Sequence, residues 1–193
     1  MSTTDNKLKA EIVSDTEIAM QRSLKAPREL VYRAMTEPEL IPKWWGQRSS
    51  TTIVDKFDPR VGGEWRFIQR EKDGTEYAFR GTFLELAPPS KIVQTFEFEP
   101  MPGHIVTDSM TLTEIDGGTL VRIQSKFASK EDRDGMLQSG MEVGANESYD
   151  QLDELLAINV KAPFRLIRAA LPHLKASGSG RVVNVASMSG KRA

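Results

Sequence analysis

The chain has 193 residues, of which 39% are hydrophobic and 27% are charged, a composition typical of an ordinary globular domain. Its 26 basic and 27 acidic residues leave a net charge of -1, which gives no electrostatic case for binding nucleic acid or an anionic membrane. The absence of cysteine excludes disulfides, thiol nucleophiles and thiolate metal sites. The first residues are polar and no apolar run is long enough to span a membrane, so we expect a cytoplasmic protein.

The first quarter of the chain predicts one strand and two short helices. Residues 1–15 form a polar lead-in, and residues 17–24 read as the first strand. Pro27 suits the first turn of a helix, in which Leu30, Val31 and Ala34 share a face. A second short helix is predicted from a Thr36 cap to Gly46, and its apolar side is formed by Leu40, Ile41, Trp44 and Trp45.

The middle of the chain predicts an antiparallel meander. Six segments alternate between apolar and polar side chains and are separated by Gly, Pro and Asp-Gly turns. The predicted strands are 51–57, 64–70, 75–86, 91–98, 104–114 and 119–127. Short turns imply antiparallel neighbours, so the class is α+β, with a curved sheet of six to seven strands.

The period of two in these strands predicts which side chains share the buried face. That face is rich in aromatic residues and includes Trp65, Phe67, Tyr77, Phe79, Phe83, Phe96, Phe98, Met110, Leu112 and Phe127. The opposite face carries charged residues, including Glu64, Arg66, Arg80, Arg122 and Lys126. Two polar residues, Gln94 and Asp108, fall on the buried face, where each needs a hydrogen-bond partner or a place at the rim of the sheet.

A single long amphipathic helix is predicted over residues 129–157, with Ser129 as its cap and Asp132 in the first turn. Its apolar positions recur at intervals of three or four residues and lie on one face. They are Leu137, Met141, Ala145, Tyr149, Leu152 and Leu156. A twisted sheet wrapped around one helix leaves space that side chains do not fill, so we expect a ligand cavity between them.

The order of several motifs resembles the bacterial branch of the family named for activators of the heat-shock-protein-90 ATPase. The motifs are APRELV from Ala26, PEL from Pro38, WWG from Trp44, RVGGEW from Arg60, YAFRG from Tyr77, PGH from Pro102, GM from Gly140, NES from Asn146 and LDELL from Leu152. This family belongs to the START-like, birch-pollen-allergen-like (SRPBCC) superfamily. The resemblance covers residues 15–157 and implies the helix-grip fold, with a hydrophobic cavity between the sheet and the C-terminal helix. Ala145 departs from the family pattern, since relatives place a bulky aromatic there, which implies a larger cavity.

Residues 158–193 resemble an internal piece of a short-chain dehydrogenase/reductase. Asn159 matches that family's helix asparagine, and Ser187 matches its catalytic serine. The glycine-rich dinucleotide loop and the Tyr-x-x-x-Lys pair are absent from the sequence, so Ser187 has no partners for that chemistry. We therefore expect residues 1–157 to form a helix-grip domain, and residues 158–193 to be a truncated tail, disordered or docked on the domain or on a second copy.

The sequence favours binding of a small hydrophobic molecule over catalysis. No paired-carboxylate, Ser-His-Asp or phosphate-loop constellation is present, His104 has no second histidine nearby for a metal site, and no cofactor is predicted. The predicted ligand-binding residues lie on the sheet and helix faces that enclose the cavity, with Trp45 or Trp44 at its mouth. They are Trp44, Trp45, Trp65, Phe67, Tyr77, Phe79, Phe96, Asp108, Met110, Phe127, Met141 and Tyr149.

Two alternatives stay open at this point. The family resemblance implies a protein-interaction module that acts on a chaperone ATPase, and a homodimer is a further possible assembly. A cyclase- or hydrolase-like enzyme, of the kind that other members of the superfamily represent, would have to use Asp108 and Gln94.

Overall fold

The structure is a computed structural model that describes residues 6–158, 170–175 and 177. The chain divides into two units, Met1–Leu156 and Ala157–Ala193. In the second unit the structure describes a helical segment over residues 170–175. The predictions for Asn159 and Ser187 lie outside the described residues.

An eight-stranded antiparallel sheet forms the body of the first unit. Its strands, in chain order, are β1 (Glu11–Ser14), β2 (Glu17–Leu24), β3 (Thr51–Phe57), β4 (Glu64–Arg70), β5 (Glu76–Ala87), β6 (Lys91–Phe98), β7 (Val106–Ile115) and β8 (Gly118–Lys126). In space the order is β1-β2-β8-β7-β6-β5-β4-β3, so only β2 and β8 pair across a long connection. The predicted α+β class and antiparallel meander are confirmed.

The predicted strand number of six to seven is too low, because residues 11–14 form β1 rather than part of a polar lead-in. All four residues of β1 are exposed, including Ile12 and Val13. A short edge strand with no buried face has no alternation to detect, so sequence periodicity missed it.

The connection from β2 to β3 contains helix α1 (Arg28–Thr36), followed by a 3₁₀ turn at Ile41–Lys43. The second short helix, predicted from Thr36 to Gly46, is therefore present only as this three-residue 3₁₀ turn. Pro42 occupies an early position of the 3₁₀ turn, and the Thr36 hydroxyl donates to the Tyr32 carbonyl instead of capping a new helix. Trp44 and Trp45 follow the turn, and Gly46, with φ of +96°, changes the chain direction.

The long helix predicted over residues 129–157 is two helices, α2 (Lys130–Gln138) and α3 (Met141–Leu156). Ser129 caps α2 as predicted, because its hydroxyl accepts from the Asp132 amide at 3.1 Å. The break falls at Gly140, whose φ of +76° lies in the left-handed region that favours glycine. The apolar pattern continues across this break, which is why it predicted one helix.

Hydrogen bonds from side chains of α3 hold the Trp44–Trp45–Gly46 loop and the N-terminal segment. The Ser148 hydroxyl accepts from the Gly46 amide at 3.0 Å, and the Gln151 amide donates to the Gly46 carbonyl at 2.7 Å. The Asn146 side chain accepts from the Leu8 amide at 2.8 Å and donates to the Leu8 carbonyl at 2.9 Å. These bonds fix α3 over the concave face of the sheet.

Candidate functional site on the concave face of the sheet

Three polar side chains form a row across adjacent strands on the concave face. In the register of the sheet, Gln94 of β6 is paired with Asp108 of β7, and Asp108 is paired with Ser125 of β8. The Ser125 hydroxyl donates to Oδ1 of Asp108 at 2.5 Å. The alternation of β7 predicted that Asp108 points inward, and this row explains how one of its oxygens is satisfied.

Asp108 is half-buried by its accessible surface. Burial raises the pKa of this carboxyl group to about 6, and the hydrogen bond from Ser125 offsets only part of that effect. Oδ2 has no hydrogen-bond partner among the described residues, and it is not one of the fully enclosed polar atoms. Asp108 is thus a carboxylate with one bonded oxygen and one open oxygen.

Tyr149 of α3 lies close enough to Asp108 for the charge of that carboxylate to act on its phenol. Its side chain is buried, and burial together with the Asp108 charge raises the pKa of its phenol above the ordinary value. No described residue hydrogen-bonds to its hydroxyl group, which is likewise not fully enclosed. Tyr149 therefore supplies a second open polar group to the same region.

Arg22 is a buried cation on β2, 6% exposed, and sequence reasoning did not select it. Its Nη2 donates to Asp150 and to Asp153 of α3, both at 2.7 Å. Its Nε and Nη1 are enclosed and have no partner. The signals were present in the sequence, since Arg22 continues the inward row of Ile18 and Met20, and the two aspartates are spaced by one helical turn.

Aromatic side chains of β4, β5 and β6 line the concave face beside this polar row. The Trp45 ring contacts Phe67 and Phe79 edge-on, with centroid distances of 5.1 and 5.2 Å. Phe79 also lies 5.7 Å from Phe96. Trp45, Phe79 and Phe96 are half-buried although they lie on the inward face.

The two neighbouring tryptophans have different environments. Trp44 is buried, donates from Nε1 to the Ala34 carbonyl at 2.9 Å, and meets Tyr149 edge-on at 6.1 Å. Trp45 is half-buried and belongs to the aromatic group on the sheet. The structure thus separates a core tryptophan from one with an accessible face.

Trp65 covers Gly81 of the neighbouring strand. The two residues are register partners, and a Cβ atom added to Gly81 would lie 2.6 Å from Trp65 Nε1 and 1.9 Å from the Thr95 carbonyl oxygen. Trp65 is 2% exposed, and its Nε1 has no hydrogen-bond partner. Only glycine fits below this ring, so Gly81 determines where the indole lies.

The other predicted site residues lie at the ends of the concave face or deeper in the core. Phe127 is buried with Ile18 and Val106, and Met141 packs against that cluster. Met110 is half-buried on β7, two residues along the strand from Asp108. Tyr77 lies at the start of β5 and is 41% exposed, and its ring is tilted against that of Phe98 at a centroid distance of 6.2 Å.

The opposite face of the sheet has a depression of about 480 Å³, lined mainly by charged residues. Arg66 there binds Glu99 through two bonds of 2.7 and 2.8 Å, and Arg80 donates to Glu97 at 2.7 Å. Glu64 pairs with Lys56. Around this depression, the charged residues of the predicted outer face form ion pairs whose charges compensate one another.

The described residues contain neither a cluster of metal ligands nor a membrane-spanning helix. Within residues 6–158, 170–175 and 177, no group of three or more His, Cys, Asp and Glu side chains could hold a metal ion. Across the same ranges, no helix combines the length and the apolar character needed to cross a membrane.

Comparison with solved structures places this architecture among known folds. A protein of Rhodobacter sphaeroides matches with a TM-score of 0.73 and 25% identity, over 78% of this chain and 99% of that one. A protein of Chromobacterium violaceum matches with a TM-score of 0.66 and 28% identity, over 74% and 98% of the two chains. These likenesses bear out the helix-grip fold.

The end of the chain matches a different class of protein. A family model for short chain dehydrogenase matches residues 135–193. An agropine synthesis reductase of Rhizobium rhizogenes is 57% identical over 35 residues, which are 18% of this chain and 8% of the reductase. The chain spans about a tenth or less of the length of the curated relatives it matches.

A second family model covers most of the helix-grip unit. It matches residues 25–157 and is described as activator of Hsp90 ATPase homolog 1-like protein. The match extends from the end of β2 through α3, and so includes the strands and the helix that carry the polar row, Tyr149 and the aromatic group. The chain belongs to the family of activator of Hsp90 ATPase homolog 1-like proteins.

Proposed function

We propose that this protein binds a small apolar molecule between the concave face of the sheet and α3. The observation that carries the proposal is the partial exposure of side chains on the inward face. Trp45, Phe79, Phe96, Met110 and Met141 are half-buried there, whereas the inward residues Val121 and Ile123 of β8 are buried. Apolar side chains that face inward but stay accessible indicate a space that a ligand can fill.

Affinity for such a ligand comes mainly from burying apolar surface, at about 25 cal/mol per Å² removed from water. The aromatic rings of Trp45, Phe79 and Phe96 contribute most of that surface, because they are large and are preorganised by ring contacts with one another. Tyr149 and Asp108 add polar groups that orient the bound molecule.

Binding of a hydrophobic fluorophore tests the proposal. Met141→Trp places a large ring at the start of α3, where Met141 packs against the Phe127 cluster, and is expected to abolish the fluorescence increase by filling the site. Val143→Trp is the matched control, because Val143 lies on the same helix and is 71% exposed. Equal fluorescence for Met141→Trp and the unchanged protein, with both folded, would contradict this site.

A second candidate function rests on the family match alone. The family description points to a module that activates a chaperone ATPase. The purified protein should then raise the ATP turnover of an Hsp90-type chaperone. The immobilised protein should also retain that chaperone in a pull-down. An unchanged turnover at saturating protein would remove this candidate and leave ligand binding untouched.

We also propose that the chain has no dehydrogenase activity of its own. The match to short chain dehydrogenase covers the last third of the chain. The sequence lacks both the glycine-rich dinucleotide loop and the Tyr-x-x-x-Lys pair that the chemistry of that family needs. Titration with NADH and NADPH should accordingly give no saturable quenching of tryptophan fluorescence.

A further inference from the structure

Asp108 is an uncompensated negative charge on the inward face. Ser125 satisfies Oδ1, while Oδ2 has no partner among the described residues. The described part of the chain also contains no cation within ion-pair distance of this carboxylate, since none of its ion pairs includes Asp108. A carboxylate in such surroundings is stabilised by any group that brings positive charge to it.

The charged and titratable groups around Asp108 do not supply that charge. Tyr149 of α3 lies near it as a neutral phenol, and β6 and β8 contribute the uncharged Gln94 and Ser125. Arg22 of β2 is the inward-facing cation, but its Nη2 is engaged by two carboxylates, Asp150 and Asp153. Arg22 and these two aspartates together therefore carry no net positive charge that could compensate Asp108.

The aromatic rings next to this row favour the same kind of partner. Trp45, Phe79 and Phe96 present ring surfaces that remain partly accessible on the concave face. Aromatic faces attract ammonium groups, and the attraction is strongest where water is excluded. A lone carboxylate beside several aromatic rings is a chemical environment suited to a cation on an apolar body.

We propose that the ligand carries a protonated amine that pairs with Oδ2 of Asp108, next to the Tyr149 hydroxyl, while its apolar body lies against the aromatic residues. This inference rests on the proposed ligand-binding function and names the ligand class. An apolar carboxylic acid is disfavoured because its charge repels that of Asp108. A neutral alcohol can donate a hydrogen bond but leaves the buried charge uncompensated.

Three ligands of equal length separate these possibilities. Phenylbutylamine, phenylbutanol and phenylbutyric acid are titrated into the full chain at pH 7, and their dissociation constants are measured by calorimetry. We expect the amine to bind at least about tenfold more tightly than the alcohol, and the acid to bind more weakly than both. Alcohol binding as tight as amine binding would overturn the amine assignment and leave the apolar site supported.

Asp108→Asn removes the charge and keeps an acceptor for the Ser125 hydroxyl. The amine preference is expected to fall to within about threefold of the alcohol in this variant. Asp116→Asn, in the exposed turn between β7 and β8, is the control and should keep the preference. An amine preference that survives Asp108→Asn would overturn the proposal.

The pH dependence gives a readout that does not depend on a variant. Because only the ionised carboxylate pairs with the amine, amine affinity should fall about tenfold between pH 7 and pH 5, with a midpoint near the Asp108 pKa of about 6. Ser125→Ala removes the bond that stabilises the carboxylate and should move this midpoint upward. A flat pH profile overturns the pairing, and failure of all three ligands to bind overturns the proposed function as well.

Discussion

The ionisation of Asp108, a single residue on the inward face of the sheet, affects the stability of the whole domain. The fold places it between β6 and β8 near Tyr149, where its carboxylate has one donor, the Ser125 hydroxyl. Its pKa of about 6, against an ordinary value of 3.8, means that the folded protein binds a proton at this group more tightly than the unfolded chain does, although the group is mostly ionised at pH 7. The domain therefore loses stability as this group ionises, unless a ligand compensates the charge.

The sign of this effect gives a stability prediction. Between pH 4 and pH 6, approximately, the folded state binds more protons at Asp108 than the unfolded state, so its contribution to the free energy of unfolding falls as pH rises. Asp108→Asn should be more stable than the unchanged protein at pH 7 by about 2 kcal/mol, allowing for partial exposure of the side chain. The advantage should vanish below about pH 4.

Urea denaturation at a series of pH values measures this difference. Asp116→Asn, in an exposed turn, should track the unchanged protein throughout. A lower stability of Asp108→Asn at pH 7 would mean that the carboxylate is stabilised in the free protein, and would contradict the raised pKa.

At the scale of elements, the sequence predicted those whose two faces differ. Strands β3, β4 and β6 begin and end where the alternation of apolar and polar residues placed them. The exposed β1 has no such contrast, and the 3₁₀ turn at Ile41–Lys43 has the same short-range spacing as a helix. Local sequence patterns therefore do not predict elements whose formation depends on residues far away in the sequence.

For the candidate site, too, sequence patterns predicted which face a residue lies on but not which distant residues it contacts. Alternation assigned Asp108 and Gln94 to the inward face, and helical spacing placed Tyr149 opposite the sheet. The bond from Ser125 and the contacts of Arg22 with Asp150 and Asp153 join residues more than 15 and more than 120 positions apart. Such pairings are set by sheet register and helix docking, which no local period encodes.

The break between α2 and α3 gives a prediction at this scale. Gly140 has a φ of +76°, so Gly140→Ala forces a side chain into the left-handed region and should destabilise the domain by about 1 kcal/mol. Gly135→Ala is the matched control, because Gly135 lies inside α2 and a Cβ atom there meets nothing within 4 Å. That change should stabilise the domain by up to about 1 kcal/mol.

Chemical denaturation of the two variants under identical conditions compares them. The changes in the free energy of unfolding are expected to have opposite signs. If Gly140→Ala were as stable as Gly135→Ala, the two segments would form one continuous helix, and the break would be wrong.

At the scale of the whole molecule, two kinds of sequence meet at the end of α3. Leu152 and Leu156 are the last buried residues of the helix, and the first compact unit ends at Leu156. The short chain dehydrogenase match begins inside the helix-grip unit, at residue 135, and continues to residue 193. Residues 135–157 thus carry both matches, and in the structure they complete the helix-grip fold.

This boundary predicts the outcome of limited proteolysis of the full chain. Val182, Val183 and Val185 read as a strand for the interior of a parallel sheet, and such a strand is stable only between neighbouring strands. Residues 177–180, Ser-Gly-Ser-Gly, have the composition of a flexible linker. We therefore expect a protease of broad specificity to remove residues beyond about 157 first, leaving a resistant fragment identified by mass spectrometry.

The fragment should bind the fluorophore as the full chain does, because all the proposed ligand contacts precede residue 157. Protection of residues 158–193 at protease levels that cleave exposed turns such as Asp116–Gly117 would contradict this division of the chain.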